Sequence, residues 1–242
     1  MIHIYFKEIN GFLDSLIAYV VIGVFLTAIG LLTWVFPDTS VLEGGYADMM
    51  SLFSVGPYVL IFLVPAVTMR SLAEERKMGT LELLFTRPLT DWQVVLGKFF
   101  AAWTLVLIAL VPTIVYYFSL YYLGSPQGNI DTPGVIGSYV GIALLGGAFC
   151  GVGLLASSLT PNQVVAFIIA AFLCFIAYAG IDGVAAIPGW EGQALAIRQA
   201  GMLYHYEALS KGLIDSRDVI YFATFVAVSL LITKTIVGKR SW

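Results

Sequence analysis

A chain of 242 residues that is 60% hydrophobic and only 11% charged, with a mean hydropathy of +0.92, lies far from the roughly one-quarter charged composition of a soluble domain. It reads as an all-α, polytopic membrane protein with little soluble mass. The net charge of −3 and a pI near 5.3 argue against nucleic acid as a partner.

The chain opens on an amphipathic segment. At about 100° per residue, Ile2, Tyr5, Phe6, Ile9, Phe12, Leu13 and Leu16 share one arc, with His3, Lys7, Glu8, Asn10, Asp14 and Ser15 opposite and Ile4 as the exception. This pattern predicts an interfacial helix over 2–15, lying on the membrane rather than crossing it. The apolar run 16–36 that follows is too long for a signal-peptide core and is expected to be the first span, ended by Pro37-Asp38. A second span over 51–69 contains Pro57 and Pro65, where backbone bonds are lost and kinks are expected.

Residues 70–92 then form a charged island carrying Arg70, Glu74, Glu75, Arg76, Lys77, Glu82 and Arg87. Gly79 can take a positive φ and break the helix, and Thr80 can cap a new turn with Glu82 near its positive end. Pro88 disfavours helix at Arg87, so a short helix is expected over 81–86, with Leu81, Leu83, Leu84 and Phe85 supplying apolar surface. Two readings are open on these residues alone: the helix docks onto a partner, or it folds back onto the chain's own helix ends.

The third span, about 93–122, opens on a capping box, Thr90-Asp91-Trp92-Gln93, and is long enough that it must tilt or protrude. In the fourth, 135–159, Gly137/Gly141 and Ala143/Gly147/Gly151 recur every four positions, which admits a closely packed neighbour. The fifth covers about 163–181 and the sixth about 219–237. Between them, 182–218 is expected to carry one or two short helices over 190–212, with Leu195, Ile197, Met202, Leu203 and Leu209 as apolar contacts and Asp215 as the N-cap of the last span.

Orientation follows from the basic residues. Six spans place Lys7, Arg70, Arg76, Lys77, Arg87, Lys98, Lys234, Lys239 and Arg240 on one side and only Arg198, Lys211 and Arg217 on the other. The positive-inside rule puts both termini and the island in the cytoplasm. Lys98 and Lys234 are expected to snorkel to that surface. The remaining candidates for chemistry are quiet. Cys150 and Cys174 lie in apolar runs without ligand-like spacing, which predicts buried, inert thiols, and His3 and His205 are isolated. No Asp, Glu, Arg or Lys falls near the middle of any predicted span, and the chain has neither a phosphate-binding loop nor an H-E-x-x-H pattern. No catalytic, cofactor or metal residue is expected, so energy for any work must arrive through a partner.

The stretch E-E-R-K-x-G-T-L-E-L-L, then T-R-P-L and the Gly97-Lys98 pair, resembles the signature of ABC-2 type transporter permeases. The surface helix, six spans and polar stretch before the sixth match that architecture over a single domain, 1–242. The segments K-E-I-N-G-F, L-V-P-A-V-T-M-R-S, G-N-I-D, N-Q-V-V-A-F and S-R-D-V-I-Y-F resemble more narrowly the permease subunits of gliding-motility-associated ABC transporters. The resemblance implies a coupling loop over 71–91 that docks on a separate ATPase through Glu74, Glu75, Arg76, Gly79, Thr80, Leu81, Glu82, Leu83, Leu84, Phe85, Arg87 and Pro88. It further implies ATP and magnesium held by that ATPase and not by this chain, a second permease or auxiliary membrane subunit, and residence in a bacterial inner membrane. The 182–218 helices would then cap the outer end of a translocation path. The expected function is the membrane half of an ATP-driven exporter; its rival is a non-transporting scaffold that transmits ATPase motion to surface machinery.

Overall fold

The computed structural model describes residues 1–43, 47–80, 90–188 and 192–238. Among them there is no strand. The helices are α1 (Ile2–Leu13), α2 (Leu16–Trp34), α3 (Met50–Thr68), α4 (Arg70–Lys77), α5 (Asp91–Leu110), α6 (Ile114–Leu123), α7 (Thr132–Leu159), α8 (Gln163–Phe175), α9 (Ile181–Ala185), α10 (Ala194–Gln199), α11 (Met202–Ser210) and α12 (Ser216–Gly238). Among the described residues, five stretches are long and apolar enough to cross a membrane: Met50–Lys77, Asp91–Leu123, Thr132–Leu159, Gln163–Ala185 and Ser216–Gly238. A sixth candidate is the bent pair at the start, where Ala18–Trp34 lies at 68° to Ile2–Leu13. This is a multi-pass helical membrane protein.

Helix α7 is the hub, packing against α3, α4, α5, α8, α11 and α12. Its small residues make that possible. A methyl group at Gly137 would stand 2.6 Å from the Gly212 Cα, one at Gly141 would meet Leu209, one at Gly147 the Trp103 indole and one at Gly151 Ser229. The four-residue spacing thus serves three different neighbours, and Gly146 against Val106 and Gly56 against Ile142 extend the same close packing. Trp103 fixes the α5–α7 contact by donating its indole N–H to Ala143 O at 2.9 Å. Outside this centre, α8 and α12 leave Val164, Ile168, Phe172, Ile220, Val228 and Leu231 exposed, as suits helices that face lipid.

The third span is not one helix. After α5, capped by the expected reciprocal Thr90–Gln93 bonds, a single 3-10 turn at Val111–Thr113 intervenes before α6. Pro112 has no N–H to continue the ladder, and the Thr113 hydroxyl donates to Leu110 O at 2.6 Å within the break. The fifth span likewise changes pitch, with one π turn at Ile176–Gly180 between α8 and α9. Helix α3 runs through both prolines, and the carbonyl of Phe53 that Pro57 leaves without its N–H accepts the Tyr206 hydroxyl instead, at 2.6 Å.

The 182–218 segment holds two short helices, α10 and α11, as expected, although Trp190 lies outside the described residues. Met202 and Leu209 are fully buried while Leu195 is exposed. Asp215 accepts the Arg217 N–H at 2.9 Å and starts α12. His205, which looked isolated, is paired: Nδ1 lies 2.6 Å from Asp218 Oδ1, Nε2 lies 2.9 Å from Gln199 O, and the ring stacks on Tyr221. Both cysteines are buried and free.

Candidate functional site: the charged island and its anchor

Helix α4 continues from α3 with Met69 at the join, and no side chain of its own sequence caps it. The cap comes from another helix. Ser157 of α7 accepts the Leu72 and Ala73 N–H groups, each at 3.0 Å, and donates its own proton to Met69 O at 2.9 Å. One buried hydroxyl therefore satisfies two N–H groups and a carbonyl where a helix start would leave orphans. Arg76 reciprocates by donating to Ser158 O at 2.6 Å, taking one of the carbonyls at the end of α7. Arg70 reaches the other way. Its guanidinium donates to the Ser15 hydroxyl at 3.0 Å and lies over the Phe12 ring, tying α4 to the α1–α2 bend.

Beneath α4 sits an ion cluster built around one buried lysine. Lys98 Nζ contacts Glu75 Oε1 at 2.9 Å and Glu8 Oε1 at 3.0 Å, and Lys7 stands 3.5 Å from the same Glu75 oxygen. The Lys98 side chain is 1% exposed, so it does not snorkel to the surface as its position suggested. It stays inside because two carboxylates from α1 and α4 compensate the charge that burial would otherwise strand. Glu75 Oε2 is buried and has no hydrogen-bond partner among the described residues. Gly97 supplies the necessary space, since a methyl group there would lie 2.9 Å from the Ile4 side chain. Ile4, the exception to the predicted apolar arc, is thus an anchor of α1, together with Phe12. Tyr5 adds a bond to Thr104, while Ile2, Phe6 and Leu13 point away from the protein. Lys234, the other predicted snorkel, lies 5.3 Å from the Trp92 ring centroid.

The sequence-predicted docking residues divide in two. Leu81, Glu82, Leu83, Leu84, Phe85, Arg87 and Pro88 lie outside the described residues. Of the rest, Glu75 and Arg76 turn inward to Lys98 and Ser158, whereas Glu74 makes no ion pair among the described residues. Gly79 has φ +68°, the left-handed conformation expected of it. The Thr80 hydroxyl reaches back to Glu75 O at 3.3 Å. A shallow cleft of about 370 Å³ runs between Lys77 and residues 161–164. Ser157 and Glu8 were not singled out by sequence reasoning, and Lys98 was expected only as a snorkelling lysine and as part of the Gly97-Lys98 pair. For Ser157 the sequence carried no signal. No group of three or more metal-ligating side chains is present among the described residues.

A family model described as "ABC-2 family transporter protein" matches residues 58–236, which is 179 of the 242 residues. The chain is also 36% identical over 106 residues to "Probable multidrug ABC transporter permease YbhR" of Escherichia coli, in both strain K12 and strain O157:H7. That alignment covers 43% of this chain and 27% of the relative, so it spans little more than a quarter of the relative's own length.

Proposed function

The chain belongs to the ABC-2 family of transporter proteins, and from this we propose that it is the membrane-spanning permease subunit of an ATP-driven exporter, energised by a separate ATPase that docks on the 71–91 loop. The family normally works with such a subunit. The observation that carries the reading is the anchoring of α4. Ser157, Arg76 and the Glu75–Lys98–Glu8 cluster join the island to α1, α5 and α7. A partner that pushes on this loop therefore pushes on the bundle, not on a free strand. In this reading ATP and magnesium stay on the partner, both termini and the island are cytoplasmic, the membrane is a bacterial inner membrane, and a second permease chain or an auxiliary membrane subunit completes the path. The residue pattern of the GldF type, the permease subunit of gliding-motility-associated ABC transporters, supports a role in gliding motility.

The test separates docking from self-packing. Leu84→Asp places a carboxylate in what would be a desolvated contact, and a loss of about 1–3 kcal/mol or more corresponds to roughly tenfold weaker binding or worse. Pull-down of the ATPase by this variant should fail while its melting curve stays near wild type, and Glu82→Gln should cost no more than about 1 kcal/mol of binding. Normal ATPase capture by a Leu84→Asp chain that has lost stability would overturn the docking assignment.

A further inference from the structure

At the end of the bundle away from the island lies a cavity of about 530 Å³. Helices α3 and α7 fix its position, because each begins at the cavity, near Met50 and Gly134, and ends at the island, near Thr68 and Ser158. Its volume is that of a small-molecule site, about 300–1,000 Å³. The inner wall is aromatic. Tyr58 and Tyr178 meet edge to face at 5.5 Å, and Tyr178 and Tyr206 at 6.1 Å. The π turn of the fifth span places Tyr178 there.

The mouth is charged, and unevenly so. Asp48, Asp131 and Glu207 line it against a single Lys211. Asp48 and Asp131 each accept an N–H at a helix start, from Met50 at 3.1 Å and Gly134 at 3.2 Å. Neither Glu207 nor Lys211 makes an ion pair among the described residues. Three carboxylates and one ammonium lining an aromatic pocket favour a positive head and an apolar body.

We propose that this cavity binds an organic monocation with an apolar body, its charge held by Glu207, Asp48 and Asp131 and its body against Tyr58 and Tyr178. The inference deepens the transporter reading and rests on it only in treating the occupant as cargo. Binding itself needs no ATPase, so it can fail while ATPase docking succeeds, and the reverse.

The experiment uses the full chain in nanodiscs of zwitterionic lipid and two probes of equal size and opposite charge, tetraphenylphosphonium and tetraphenylborate. With uptake by protein-free nanodiscs subtracted, equilibrium dialysis should give saturable binding of the cation to the protein and much weaker binding of the anion. Glu207→Gln should weaken cation binding by about two- to fivefold, the range of an exposed charge pair. Lys211→Gln should strengthen it by a similar factor, a gain that a misfolded variant cannot mimic. Rising salt should reduce these differences. No saturable cation binding, equal binding of both probes, or affinity unmoved by Glu207→Gln and Lys211→Gln would each overturn the proposal.

Discussion

The hydroxyl of Tyr206 donates to the carbonyl of Phe53 at 2.6 Å, supplying from helix α11 the proton that Pro57 withholds within α3. The two residues are 153 positions apart in the chain. Burial pushes the Tyr206 hydroxyl well above the ordinary tyrosine value, with Tyr178 adding to the shift, so it stays a donor across physiological pH. The bond pins the short 202–210 helix onto the span that leads to the island.

Removing that proton has a specific signature. Tyr206→Phe strands a buried carbonyl and should cost about 1–3 kcal/mol in thermal or denaturant unfolding. In a Pro57→Ala background, residue 57 regains an N–H for Phe53 O, and the same change should cost clearly less. Additive effects in this double-mutant cycle would mean the two groups do not share one carbonyl. Tyr117→Phe, which loses only an exposed bond to Thr132, is the control and should change little.

The ion cluster predicts a penalty and its repair. Lys98→Met leaves the half-buried Glu8 and Glu75 with only the exposed Lys7 as a nearby cation and should destabilise the chain by about 1–3 kcal/mol. Adding Glu8→Gln and Glu75→Gln should restore much of that loss, because the stranded charge is what costs. A melting temperature for Lys98→Met equal to wild type would show that the lysine is not held as described.

Two glycines should respond in opposite directions. Gly137→Ala puts a methyl against the backbone of Gly212 and Leu209, neither of which can rotate aside, and should cost about 1–3 kcal/mol. Gly183→Ala meets nothing within 4 Å and should be neutral or stabilising by up to about 1 kcal/mol. Comparing the two melting curves decides whether close approach, rather than helix propensity, explains the α7 glycines.

Topology can be read by thiol labelling, because Cys150 and Cys174 are buried and give little background. Asn129→Cys should react with a membrane-impermeant maleimide in intact cells, and Lys77→Cys only after permeabilisation. Labelling of Lys77→Cys from outside would invert the proposed orientation and remove the ATPase from the island.

The local features were legible in the sequence because each depends on residues a turn or two apart. The apolar stretches, the Thr90–Gln93 capping box, the Asp215 cap, the Gly79 break and the small-residue spacing of α7 all follow from helical periodicity and backbone freedom. What the tertiary structure decided is which distant groups meet. Lys98 looked like a surface lysine because nothing in its own helix shows that Glu8 and Glu75 converge on it from 90 and 23 residues upstream. Ser157 reads as one more small residue in a membrane helix until the start of α4 is laid against it. The aromatic cavity, too, exists only once the π turn and the 202–210 helix bring Tyr178 and Tyr206 beside Tyr58. A charge or hydroxyl inside an apolar bundle takes its state from partners that helix packing brings to it, and a hydrophobic pattern records which face is buried but not against whom.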